Sequence, residues 1–160
     1  MQRSITGAAQ NVQRGVMKMA VDGLVIAMLA AEAVSDIKTK SVSTVRLLIF
    51  LGVAAIANII FEYQPLWSML GGMAVGGVMF IYAFATRESI GYGDCLVFVC
   101  AGAFIGLWKN LRLLFGSFLS AAVAGGIYSA VKHKGMKVKI PFVPCVLGTF
   151  LVGVIVGVIM

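Results

Sequence analysis

Apolar residues fall in six runs, roughly 17–35, 44–61, 66–86, 94–108, 111–131 and 142–160, separated by short polar stretches. A helix that crosses a bilayer needs about 20 mostly apolar residues, and most of the runs approach that length. The first is the weakest, because it contains Lys18, Asp22 and Glu32. The fourth is short unless the glycines before it contribute. In lipid only helices and closed barrels satisfy the backbone, and these runs lack the alternation of barrel strands. The pattern predicts an all-α polytopic membrane protein, a six-transmembrane-helix bundle. It reads as one membrane-embedded domain over 1–160, with residues 1–16 as a polar N-terminal tail. No internal repeat, long linker or low-complexity segment interrupts it.

Composition agrees: 61% of the 160 residues are hydrophobic and only 12% are charged, against roughly 25% charged in soluble domains. The net charge of +7 does not point to nucleic acid, because the basic residues are scattered among the loops. Loops 36–46, 87–93 and 132–140 share one side and carry Lys38, Lys40, Arg46, Arg87, Lys132, Lys134, Lys137 and Lys139. The other side has Arg3, Arg14, Lys18, Lys109 and Arg112. The richer side is predicted to be cytoplasmic, which places the chain in the cytoplasmic membrane. Cys95, Cys100 and Cys145 form no C-x-x-C pair, so neither zinc nor a disulfide framework is indicated. They read as small buried hydrophobes. His133 lies in a lysine-rich loop, as a solvated residue. The polar first fifteen residues, and an apolar segment that runs into acids, do not read as a cleavable signal peptide.

Within this pattern the acids carry the candidate chemistry. Asp94 follows Gly91-Tyr92-Gly93 at the mouth of the fourth run, and Asp36 ends the first. Segments one and three are both odd-numbered, so Asp36 and Asp94 belong at the same membrane face. Two carboxylates at close range titrate as a coupled pair, one ionised to take a proton from water, the other protonated to polarise a carbonyl. Gly91 and Gly93 would let the backbone approach an extended peptide. Asp94 also suits an N-cap, and Asp36 a polar stop beside Lys38 and Lys40. Glu32, one turn before Asp36, either tunes the site or pairs with a basic residue inside the bundle. Asp22 is expected near the opposite interface. Gly72 and Gly76, Gly102 and Gly106, and Gly153 and Gly157 are each four apart, a spacing that lets helices pack closely.

These residues resemble the type IV prepilin peptidases, membrane aspartic peptidases with a G-x-G-D motif. Asp36, in Ser35-Asp36-Ile37-Lys38-Thr39-Lys40, is similar to the family's first catalytic aspartate. Gly91, Gly93 and Asp94 match the second motif. Ile140-Pro141-Phe142-Val143-Pro144 resembles the proline-containing entry to the last helix, usually I-P-F-G-P. Departures are Val42-Ser43-Thr44 where I-P-N is common, Leu96 where many bacterial members have lysine, and Val143 for the motif's glycine. The resemblance implies cleavage, at the cytoplasmic face, of a short basic leader that precedes a hydrophobic helix. Substrates would be prepilin-like proteins, Flp/Tad-type among them. It also implies that Pro141 and Pro144 set the entry of the last helix, that Lys38 and Lys40 position the dyad or face lipid headgroups, and that no metal or organic cofactor is needed. The chain looks like the short form, without the region associated with methylation.

Two other readings accommodate the same acids. A presenilin- or signal-peptide-peptidase-like protease shares G-x-G-D but has more helices and a Tyr-Asp first motif, where Ser35 stands here. A small proton-coupled transporter would use the acids as relays deeper in the membrane, and a non-catalytic scaffold would use them only as caps.

Overall fold

A computed structural model describes residues 2–39, 43–86, 91–132 and 142–157, and every element in them is a helix. They are α1 (Gln2–Thr39), α2 (Thr44–Phe61), α3 (Leu66–Ala85), α4 (Tyr92–Ile105), α5 (Leu107–Lys132) and α6 (Val143–Val156). Thr44–Phe61, Leu66–Ala85 and Leu107–Ile127 are long and apolar enough to cross a membrane, and α4 and α6 are shorter apolar helices. The chain is an all-α membrane protein.

Two boundaries differ from those expected. The polar stretch 1–16 does not form a separate tail, because α1 begins at Gln2 and continues unbroken to Thr39. Hydropathy marks where a helix enters lipid, not where it starts; Gln and Arg are good helix formers and no proline intervenes. At 1.5 Å per residue α1 is about 57 Å long, nearly twice a hydrocarbon core of about 30 Å. The fourth segment does begin in the glycine run, at Tyr92, but it ends at Ile105, and Leu107 and Trp108 already belong to α5. Gly106 alone makes this corner, at φ 79° and ψ 179°. Only glycine adopts such a conformation readily, and a Cβ there would also collide with Ser68 Oγ.

Helix α4 is the centre of the bundle. It packs against α1, α2, α3 and α5, and nearly every residue from Cys95 to Ile105 is buried. Its closest neighbour is α3. The small-residue spacing has its partner here: a Cβ on Gly72 would meet the Gly102 carbonyl, one on Gly102 the Gly72 carbonyl, and one on Gly76 the Val99 nitrogen. The other expected members differ. Gly106 is the corner, and Gly157 closes α6 as a left-handed C-cap. At the far end of this pair the rings of Phe80 and Tyr92 lie 5.3 Å apart.

Asn110, which hydropathy does not single out, locks the packed pair to α5. Its Nδ2 donates to the carbonyls of Gly72, at 2.8 Å, and Phe98, at 2.9 Å, and the residue is fully buried. Asn110→Leu is expected to lower unfolding stability in detergent by about 1–2 kcal/mol, near the upper range for interhelical bonds in membranes. A thermal melt no lower than wild type would refute this.

The two ends of α4 define the two ends of the bundle. At its C-terminus the Ala103 carbonyl accepts from Gln64 Nε2 at 2.6 Å and Tyr63 OH at 3.4 Å, so the α2–α3 loop supplies donors to a helix end that lacks intrahelical ones. Trp67 and Trp108 are exposed at the same end, a placement suited to a membrane–water interface. Asp22 is buried near this end, within the electrostatic reach of Lys109 and Lys18. The N-terminus of α4, with Asp94, lies at the opposite end.

Candidate active site

Three helix ends supply the site. Asp36 stands in the last turn of α1, buried, and its Oδ2 accepts the backbone N–H of Val143 at 3.2 Å. Val143 is the first residue of α6, so its N–H has no partner within the helix and is free to serve the carboxylate. Asp94 comes from α4. It is near enough to Asp36 for the charge of one carboxylate to act on the other. Their meeting follows from topology, since α1 ends where α4 and α6 begin.

Asp94 does not cap α4. The cap is Gly91, three residues earlier, in an extended conformation (φ −62°, ψ 131°), and its carbonyl accepts the N–H of Asp94 at 3.0 Å and of Cys95 at 3.3 Å. The side chain of Asp94 folds back over this glycine: a Cβ on Gly91 would lie 3.1 Å from Oδ2. Gly91 is exposed while Gly93 and Asp94 are half-buried, leaving the carboxylate open on one side.

The remaining expected residues separate. Lys38 is exposed in the last turn of α1, where a cation suits the negative end of the helix dipole. Pro144 is the second residue of α6, a position that needs no N–H. Lys40 and Pro141 lie outside the described residues, as do Arg87, Glu88 and His133. Glu32 is fully buried and paired: Arg46 Nε donates to Oε1 at 3.0 Å, and the Ser43 N–H donates to Oε2 at 3.1 Å. Arg46 also reaches Ser35 Oγ. This network ties the last turns of α1 to the first turn of α2, one turn from Asp36. Cys95 and Cys100 are buried free thiols, as expected; Cys145 is half-buried and near Asp36.

Sequence reasoning missed the Val143 N–H and the ring of Phe142. A backbone donor carries no residue signature. Phe142 stood inside the proline motif, but as one of ten phenylalanines it attracted no role.

Fold and site together define a polytopic helical membrane protein in which two carboxylates from different helices stand within reach of each other's charge at one end of the bundle. The model of the type IV leader peptidase family matches residues 23–130, which include both aspartates. The chain belongs to that family. It is also 33% identical over 118 residues to a "Prepilin leader peptidase/N-methyltransferase" from Dichelobacter nodosus, a stretch that covers 69% of this chain and 40% of the relative. The chain thus spans less than half the length of that relative. No solved structure matches it significantly.

Proposed function

We propose that this protein is a membrane aspartic endopeptidase that removes the short basic leader of type IV prepilin-like precursors, with Asp36 and Asp94 as the catalytic pair. The observation that carries this reading is the convergence of the two carboxylates, from α1 and α4, within reach of each other's charge. One carboxylate takes a proton from water as its oxygen attacks the scissile carbonyl carbon. The other, protonated, donates to the carbonyl oxygen. As the tetrahedral diol collapses and the C–N bond breaks, the carboxyl that took the water's proton gives it to the leaving amine, and the other carboxylate recovers a proton from a diol hydroxyl. Neither aspartate is permanently acid or base. The mechanism needs no metal or organic cofactor.

Gly91 and Gly93 shape the approach of the peptide, Pro144 with Pro141 sets the entry of α6, and Lys38 with Lys40 faces the headgroups or positions the dyad. The excess of basic residues on the side of Asp36 and Asp94 supports a site at the cytoplasmic face of the cell membrane. A relay buried in mid-membrane is disfavoured, because both acids lie in terminal turns. A pure capping role is disfavoured, because Gly91 holds the cap position. Flp/Tad-type precursors are among the substrates that the family resemblance implies.

The test is cleavage in proteoliposomes. Wild-type protein should convert a prepilin with a short basic leader into a single shorter product, its new N-terminus read by mass spectrometry. The protein with both aspartates replaced by asparagine should release none. An intact wild-type substrate, or equal cleavage by the double variant, would overturn the reading.

A further inference from the structure

Asp36 and Asp94 stand on different helices, so something must fix the offset between them. Helix α1 packs chiefly on α6, and much less on α4. The position of Asp36 relative to α4 is therefore set largely through α6. Yet α4 and α6 make no extensive contact of their own among the described residues.

Helix α5 packs on both, and Phe142 adds a direct link at the level of the site. Its ring lies 6.2 Å from that of Phe98 on α4 and 5.5 Å from that of Phe118 on α5, both within the range of aromatic pairing. Phe98 is fully buried, four residues after Asp94, and hence on the same face of α4. The backbone of Phe142 is bound to the start of α6, since its carbonyl accepts the N–H of Cys145 at 3.0 Å and of Val146 at 3.2 Å. The next residue, Val143, donates its N–H to Asp36. A continuous path thus runs from Asp94 through Phe98 and Phe142 to Val143 and Asp36.

We propose that Phe142 is a positioning residue for the dyad: its ring, seated on Phe98 and Phe118, registers the start of α6 on α4, so that the Val143 N–H holds Asp36 opposite Asp94. This rests on the aspartic peptidase reading above. Phe142 touches neither substrate nor the reacting atoms in this scheme; it acts through a backbone donor. Phe142→Leu keeps an apolar side chain and removes both ring contacts. The helices remain, but the carboxylates lose their fixed offset, and geometric errors near 1 Å can cost about a hundredfold in rate.

The test compares kcat and KM for cleavage of a prepilin in detergent, per amount of folded enzyme. Phe142→Leu should lower kcat by about ten- to a hundredfold with KM within about twofold of wild type. Phe142→Tyr, which keeps the ring, should recover kcat to within about threefold. Phe118→Leu, at a partly lipid-exposed position, should lower kcat in the same direction by less, and it reads the same cluster if Phe142→Leu does not fold. Phe115→Leu, an exposed phenylalanine of α5 outside the cluster, should match wild type. Wild-type kcat in Phe142→Leu, or an unaltered kcat in Phe118→Leu where Phe142→Leu is unfolded, would overturn the proposal. So would an equal loss in Phe115→Leu, or a raised KM with kcat unchanged. Asp36→Asn and Asp94→Asn separate the two levels: if they are inactive while Phe142→Leu is normal, only the positioning role fails, and if they cleave, the aspartate dyad on which it rests falls.

Discussion

Asp36→Asn and Asp94→Asn should each reduce prepilin cleavage by at least about 10⁴-fold in kcat, while the protein folds as well as before. General acid–base catalysis alone is worth about 10²–10⁴, and groups that act as a unit lose most of the effect when either one is removed. Asparagine has the size of aspartate but neither accepts a proton from water nor donates one as a carboxylic acid. In Asp36→Asn the amide oxygen still accepts the Val143 N–H, so the start of α6 keeps its partner. The charge that each carboxylate imposes on the other disappears, so stability should be unchanged or slightly higher. The sign of that second effect separates a catalytic pair from a structural one. A large fall in melting temperature with either variant would mean that the acids hold the bundle together, and full cleavage by either would end the dyad.

The second large effect is structural. Gly102→Val should destabilise the protein by at least about 3 kcal/mol, beyond the usual range of overpacking in cores. The obstacle is backbone: a Cβ on Gly102 would run into the Gly72 carbonyl, and would lie 2.6 Å from Asn110 Nδ2, the atom that ties α5 to the pair. The first neighbour is backbone, and the second is a side-chain end held by two hydrogen bonds. Gly77→Ala makes the contrast on the same helix pair. A Cβ on Gly77 meets nothing within 4 Å, and alanine is favoured over glycine in helices by about 1 kcal/mol. Thermal unfolding in detergent should show a marked drop for the first and none for the second. Similar melts for both would mean that α3 and α4 adjust to one another more freely than their close approach implies.

The helices were legible because lipid enforces long apolar runs, and the two aspartates because acids stand out against such a background. The ends of the helices were less so. From Phe104 through Trp108 the chain stays apolar, apart from a single glycine, so nothing in its hydropathy marks the corner at Gly106. At α1 the opposite holds: a change in polarity near residue 17 suggested an end where the helix merely continues. Glu32 illustrates a third limit. Its place on the face of Asp36 was readable, but the choice between tuning the site and pairing within the bundle depended on where Arg46, on another helix, came to lie. The link through Phe142 depended likewise on contacts across three helices, which no spacing within one of them encodes.

The pairing of α3 with α4 also sets how far one helix stands above Asp94. The ring of Phe80 meets that of Tyr92, so Asp94 lies roughly level with Phe80, and the chain of α3 climbs six more residues to Thr86. That wall rises about 9 Å above the carboxylate. On the proposed peptidase reading, a chain that reaches the dyad from the side of α3 must cross that step, which takes about three residues of extended chain at roughly 3.3 Å each. A precursor that stays helical up to its cleavage point would meet α3 first, so on that reading unwinding there is part of what the proposed peptidase selects.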